Sequence, residues 1–94
     1  MDYINLSANF DIWSSNFTQG RGGYALKYVV LHHNAGIRMS HQGVHGAFVS
    51  NGTSAHYNVD ADGSVCQYVH DSDTAYHAGN WAANCQSIGI EHAN

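Results

Sequence analysis

Tyr28-Val-Val-Leu-His-His33 is a compact run of apolar and β-branched residues that ends in two histidines. β-branched and aromatic residues favour extended backbone, and an unbroken apolar run is typical of a strand buried on both faces. The sequence therefore predicts a strand here, in the centre of a sheet. Successive side chains of a strand point to opposite faces, so His32 and His33 must face opposite ways.

Further elements follow this strand along the chain: a helix over 39–50, strands at 55–59 and 64–69, a loop over 70–86 and a last strand at 87–92. Ser40 is the predicted N-cap of the helix. The turn Asp60-Ala-Asp-Gly63 predicts a hairpin between the two middle strands. We expect a single α/β domain over 1–94, with 1–26 as an N-terminal arm.

The order strand, helix, hairpin, loop, strand predicts a mixed central β-sheet flanked by helices. One helix cannot cover both faces of a four-stranded sheet. We therefore expect an incomplete domain that lacks a C-terminal helix, and self-association through the uncovered sheet face.

The composition excludes several classes of protein. The 94 residues carry only three basic side chains and a net charge of −4, which cannot build a nucleic-acid-binding face. No apolar run is long enough for a membrane helix, and the N-terminus lacks the pattern of a signal peptide. We expect cytoplasmic synthesis and no membrane partner. A Cys66–Cys85 disulfide remains open, although two buried thiols are favoured.

Eight histidines in so short a chain indicate a metal or acid–base site, because imidazole is the commonest metal ligand and titrates near neutral pH. Half of them lie within a set of four sequence blocks. In chain order they are Tyr28-Val-Val-Leu-His-His-Asn-Ala-Gly36, Ser54-Ala-His-Tyr-Asn-Val-Asp-Ala-Asp-Gly63, Tyr76-His-Ala-Gly79 and Ser87-Ile-Gly-Ile-Glu91.

Together these blocks resemble the zinc-dependent N-acetylmuramoyl-L-alanine amidases, a family that includes phage endolysins, cell-wall recycling amidases and animal peptidoglycan recognition proteins. The resemblance covers roughly residues 24–93, and four blocks in order are far more specific than any one of them. It implies a peptidoglycan hydrolase that cleaves the amide between N-acetylmuramic acid and the L-alanine of the stem peptide. Phage-lysin-like action at the bacterial cell wall is the corresponding location.

Two residues match the family's reactive groups. His32 matches the first ligand of Zn²⁺, and Glu91 matches the catalytic glutamate that shuttles a proton to and from the attacking water. Alternation along the last strand supports this role, because Ile88 and Ile90 face the core while Gly89 and Glu91 share the other face. A solvated edge-strand glutamate is the alternative interpretation.

The same resemblance implies substrate contacts for four residues: His77, His56, Asn34 and Trp81. A structural loop anchor for His77 and an ordinary core position for Trp81 stay open. The helical pair His41 and His45 has the spacing of a zinc chelate but lacks the glutamate of metalloproteases, so packing is favoured.

The resemblance also shows what is missing. The family's remaining zinc ligands follow the last strand at some distance, and 94 residues leave no room for them. The alternative function is a non-catalytic peptidoglycan-binding module or an inactive fragment of an amidase. A histidine-rich metal-binding protein unrelated to cell walls would leave the four blocks unexplained.

Overall fold

The computed structural model describes residues 8–33 and 40–92, and this part of the chain forms seven strands and two helices. In chain order they are β1 (Phe10–Asp11), β2 (Phe17–Thr18), β3 (Tyr28–His33), α1 (His41–Asn51), β4 (Tyr57–Val59), β5 (Val65–Gln67), β6 (Thr74–Ala75), α2 (Trp81–Cys85) and β7 (Ser87–His92).

The main sheet has five strands in the order β1-β5-β4-β7-β3, and a second sheet pairs β2 with β6. The last strand, β7, pairs in parallel with β3 on one side and with β4 on the other. The hairpin β4–β5 is antiparallel, and β1 adds in parallel to β5. This is the mixed α/β arrangement that the sequence predicts.

The predicted central position of residues 28–33 is wrong. β3 lies at the edge of the described sheet and pairs with β7 alone. Its Val29 and Leu31 side chains are 52% and 65% exposed, whereas Ile88 of β7 is fully buried. The β-branched composition correctly indicated a strand, but composition alone cannot say whether a strand receives neighbours on one side or on both.

The two faces of the sheet carry separate apolar clusters. On one face α1 packs over β5, and the cluster consists of Val44, Phe48, Ala55, Cys66, Tyr68, Val69 and Ala75. On the opposite face the cluster consists of Tyr57, Ile88 and Ile90, with Leu26, Val59 and Val65 packed against it. Alternate residues of a strand in this sheet therefore face one cluster or the other.

Ser40 and Gly52 fix the two ends of α1, and the sequence predicted the first of them. The Ser40 side chain caps the N-terminus by accepting a hydrogen bond from the Gly43 backbone N–H. Gly52 ends the helix in the left-handed conformation, and its N–H is donated to the Phe48 carbonyl. Both are standard terminal contacts for backbone groups that have no partner within the helix.

Two predicted irregular regions contain regular structure. The predicted loop 70–86 holds β6 and α2, and the predicted arm 1–26 contributes β1 and β2. Strands of two residues show no hydrophobic period, so only their partners define them. Cys66 and Cys85 are buried free thiols, as favoured from the sequence. Among the described residues, neither helix has the length and apolar character needed to cross a membrane.

Candidate active site

The register of the main sheet places three polar side chains in one row across three strands. His32 of β3 is the partner of Glu91 of β7, and Glu91 is the partner of Asn58 of β4. Paired residues in neighbouring strands point to the same face, so the three side chains lie next to one another. We call this set the polar row. It brings together the predicted metal ligand and the predicted catalytic carboxylate.

His77 belongs to the segment after β6, and its side chain lies against the polar row on the same face of the sheet. Its ring lies over Gly89, where an added Cβ would be only 2.6 Å from the His77 Cγ atom. The Nδ1 atom of His77 lies 2.9 Å from Nε2 of His32, with the two rings nearly perpendicular. The missing side chain of Gly89 therefore makes room for the imidazole that contacts His32.

The hydrogen bonds settle which nitrogen of each ring carries a proton. Ser87 donates its hydroxyl hydrogen to the Ala83 carbonyl at 2.6 Å, so its oxygen accepts from His77 Nε2 at 3.0 Å. The Nδ1 atom of neutral His77 is then an acceptor, and His32 Nε2–H donates to it. In neutral His32 this leaves Nδ1 as the nitrogen able to bind a metal ion.

Burial changes the acid–base properties of this site. Loss of solvent lowers the pKa of His77 to about 4, and the nearby charges of His32 and Arg21 act in the same direction. Burial raises the pKa of Glu91 above its ordinary value, partly offset by His32 and His92. His77 is thus a neutral imidazole at physiological pH, and Glu91 is a carboxyl group that holds its proton more firmly than in water.

His56 is fully buried beneath the site. Its Nδ1 accepts a hydrogen bond from the Gly89 backbone N–H at 3.1 Å, and its Nε2–H donates to the Asp73 carbonyl at 2.8 Å. Burial lowers its pKa to about 3, and the Arg21 guanidinium 3.2 Å away contributes to the shift. Both ring nitrogens are engaged inside the protein, an arrangement suited to supporting β7 from within.

Arg21 is a structural residue that the sequence did not single out. Its guanidinium donates to the backbone carbonyls of Asn84, Cys85, Ser87 and Asp71 at 2.6–3.2 Å. These bonds connect the N-terminal arm to the end of α2 and to the start of β7. An arginine after Gly20 gives no such signal, because these four carbonyls lie 50 or more residues away along the chain.

The other predicted residues lie in different places. Trp81 begins α2, is 49% exposed and has ring atoms near Gly22. Asn34 lies outside the described residues. On the opposite face of the sheet, the ring of His33 lies 5.2 Å from that of His92, so His32 and His33 do face opposite ways.

The helical histidines make internal contacts. His41 bonds to Asn58 and Ser64, with Nδ1 and Nε2 respectively, while the ring of His45 stacks on that of Tyr68. These contacts agree with the packing role favoured from the sequence. The four-residue spacing of these histidines could form a chelate on an exposed helix, but here the two rings contact different neighbours.

A zinc site requires more donors than the polar row offers. His32 and Glu91 are chemically suitable, yet residues 8–33 and 40–92 contain no group of three or more His, Cys, Asp or Glu side chains able to hold a metal ion. Catalytic zinc commonly takes three protein ligands and a water molecule. The described residues therefore fit a part of such a site and do not complete one.

Comparison with known proteins identifies the class of protein. Residues 22–94 match the family model described as N-acetylmuramoyl-L-alanine amidase, and the chain belongs to this family. No curated protein sequence matches the chain significantly.

Three solved structures share the fold. The selenomethionine derivative of AmpD is 22% identical with a TM-score of 0.72, and the match covers 95% of this chain and 63% of that one. The Staphylococcus aureus hydrolase AmiA, solved with its ligand, is 20% identical with a TM-score of 0.72, covering 96% and 46%. A mutant endolysin from Bacillus subtilis is 29% identical with a TM-score of 0.62, covering 92% and 61%. The chain thus spans less than two thirds of each of these structures.

Proposed function

We propose that this protein acts in peptidoglycan hydrolysis, cleaving the amide between N-acetylmuramic acid and the L-alanine of the stem peptide. The observation that carries the proposal is the placement of Glu91 beside His32 on one face of the sheet. Membership in the amidase family supports the substrate class. Action at the bacterial cell wall follows from that substrate.

Glu91 is proposed as the group that moves the proton. A carboxylate beside the scissile amide takes a proton from the attacking water and returns it to the leaving amine of L-alanine. The raised pKa of Glu91, caused by burial, suits both steps, because the acid form then survives closer to neutral pH. His77 holds the His32 ring in one orientation through the 2.9 Å contact.

Zn²⁺ is proposed as the cofactor of the complete site, with His32 Nδ1 as one ligand and the other donors outside the described residues. When bound, zinc supplies a Lewis acid that activates water and polarises a carbonyl group. A histidine ligand needs its second nitrogen held by a partner, and His77 meets that need for His32.

Contacts with the substrate remain proposals for Asn34, Trp81, His77 and His56. Trp81 has an exposed aromatic face suited to a sugar or peptide. His56 would have to release internal hydrogen bonds to reach a ligand, so we assign it a supporting role in the arrangement observed.

A peptidoglycan-binding module without hydrolytic activity is the second candidate. The absence of a three-ligand metal group from residues 8–33 and 40–92 favours it. The two functions share a ligand and differ in product, so binding and hydrolysis must be measured together.

The first prediction concerns Glu91→Gln, which keeps the shape of the side chain and removes the proton carrier. Purified muropeptide is incubated with the protein and Zn²⁺, and release of stem peptide with a free L-alanine amine is followed by mass spectrometry. We expect hydrolysis to fall by about 10²–10⁴-fold in the variant, while muropeptide binding is retained.

Asp11→Asn is the matched control, because this exposed carboxylate lies on β1 at the far edge of the sheet. Hydrolysis by the Glu91→Gln variant at the unaltered rate would remove Glu91 from the mechanism. If the unaltered protein and the Glu91→Gln variant both bind muropeptide and neither hydrolyses it, the result would instead support the non-catalytic module. Native mass spectrometry of the same samples reports how much zinc each chain holds.

A further inference from the structure

Asn58, the third member of the polar row, has an amide whose two ends differ in their surroundings. The residue is 1% exposed, and its Nδ2 lies 3.0 Å from Nδ1 of His41. Its Oδ1 is buried and accepts no hydrogen bond from any described residue. A buried amide oxygen without a donor is unfavourable, and such an atom calls for an explanation.

A chain of hydrogen bonds from the protein surface fixes which end of the amide faces the polar row. Ser64 donates its hydroxyl hydrogen to Asp62 Oδ1 at 2.6 Å, so its oxygen accepts from His41 Nε2–H at 2.8 Å. The other nitrogen of neutral His41 is then an acceptor, and it takes a hydrogen from Asn58 Nδ2. The Asn58 Oδ1 atom must therefore point away from His41.

Two side chains flank Asn58 on this face of the sheet. Cys66 of β5 is its partner on one side, and Glu91 of β7 is its partner on the other. The Cys66 thiol donates to the Gln67 carbonyl at 3.8 Å, so its hydrogen is already engaged. Glu91 is half-buried. It is the neighbour toward which the Oδ1 atom can act.

Asn58 Oδ1 and an ionised Glu91 carboxylate are both acceptors, so they require a donor between them. Neighbouring strands lie about 4.8 Å apart, and the two side chains extend from them in the same direction. We propose that Asn58 is a positioning residue for Glu91. Its Oδ1 holds one water molecule, and this water donates its other hydrogen to the Glu91 carboxylate.

This inference uses the proposed function only in treating Glu91 as the reacting group. The bridge itself is a property of the folded chain and exists without hydrolysis. Through it, the surface pair Asp62 and Ser64 influences the site by determining the orientation of the Asn58 amide.

The titration of Glu91 can be measured directly, because Glu91 is the only glutamate in the chain. Glutamate labelled with ¹³C at its carboxyl carbon gives a single side-chain signal, and its titration midpoint is read by NMR. The titratable groups near Glu91 are His32 from β3, His92 from its own strand, Tyr68 after β5 and His77 over Gly89, and all four are unchanged in every variant compared.

Asn58→Leu removes the amide and the water that it holds. The carboxylate then loses a donor, and we expect the Glu91 midpoint to rise by about half a pH unit or more. His41→Leu has the opposite effect. It frees the Asn58 amide to turn, so that Nδ2–H donates directly to the carboxylate and the midpoint falls. Opposite shifts from two neighbouring apolar substitutions are not expected from a purely structural role.

Cys66→Ala is the matched control, since this side chain flanks Asn58 on the side away from Glu91, and its midpoint should equal that of the unaltered protein. Equal midpoints in all four proteins, or shifts of the same sign in both test variants, would overturn the proposal. If Asn58→Leu fails to fold, the sign of the shift in His41→Leu decides alone. A chain that shows both shifts but releases no stem peptide would contradict the proposed function and leave the bridge in place.

Discussion

At the residue scale, the most informative contact is between His77 and His32. The sequence indicated His77 as a substrate contact or a loop anchor, and it indicated only that Gly89, which leaves space because it has no side chain, shares a face with Glu91. The structure fills that space with the His77 ring and gives it a defined task, which is to accept the His32 Nε2–H. Such a pairing joins residues 45 positions apart, so no local pattern could reveal it.

The second prediction follows from His56, whose pKa is lowered from 6.5 to about 3 by burial. Between these two pH values the unfolded chain binds a proton at this residue and the folded chain does not. Stability from this group is therefore fully present above about pH 6.5 and is lost as the pH falls toward 3. This residue alone should lower the free energy of unfolding, measured with urea, by about 1.4 kcal/mol per pH unit in that window.

His77 adds to this loss in the same direction, because its pKa is also lowered, to about 4. Glu91 acts in the opposite direction, since its raised pKa favours the folded state at low pH. His56→Gln should be less stable at pH 7 and should have a smaller slope, whereas His70→Gln, at an exposed position, should retain the slope. A stability that does not change between pH 5 and 6.5 would contradict the assignment of His56 as a buried neutral ring.

At the element scale, the sequence was most informative where the signal is local. α1 and the β4–β5 hairpin were predicted because a cap, a turn and a hydrophobic period are all encoded within a few residues. β1, β2 and β6 were missed because strands of two residues acquire their identity from partners elsewhere in the chain. The edge position of β3 was missed for the same reason, since pairing on one side or on both is a property of the whole sheet.

The third prediction concerns Gly89, the position in β7 that accommodates His77. In Gly89→Ala the new Cβ would lie 2.6 Å from the imidazole, so the ring must move and the contact with His32 must break. We expect a loss of about 1–3 kcal/mol in the free energy of unfolding. Chemical shifts of the His32 ring should change in the same variant.

Gly46→Ala is the matched control, because a Cβ at this position of α1 meets no atom within 4 Å. Alanine in a helix interior is about 0.5–1 kcal/mol more favourable than glycine. The two substitutions are chemically identical and should change stability in opposite directions. A Gly89→Ala variant as stable as the unaltered protein would show that His77 can leave Gly89 without cost.

At the scale of the whole molecule, the polar row is better formed than the metal site that the family implies. The row is built by pairing within the sheet and by the bonds that Arg21 makes to α2 and β7. Within residues 8–33 and 40–92, no third His, Cys, Asp or Glu side chain joins His32 and Glu91 in a group able to hold a metal ion. The sequence indicated His32 and Glu91 as candidates, whereas the arrangement of His77, His56 and Arg21 required the three-dimensional structure, because their partners lie far away along the chain.

The last prediction concerns self-association through β3, and it extends the expectation of an uncovered sheet face. Within the described residues no strand pairs with the outer edge of β3, and Tyr28, Val29 and Leu31 are each more than half exposed there. An exposed apolar edge strand offers both backbone hydrogen bonds and buried area to a second copy. We expect the sedimentation coefficient of the protein to rise with concentration, and Val29→Lys or Leu31→Lys to remove that dependence.

Val49→Lys introduces the same charge at an equally exposed valine of α1, so it should leave the association unchanged. A protein that sediments as a monomer at all concentrations, or one whose association is weakened equally by Val49→Lys, would exclude β3 as the contact, because the argument depends on the edge of the sheet and not on exposed apolar surface in general.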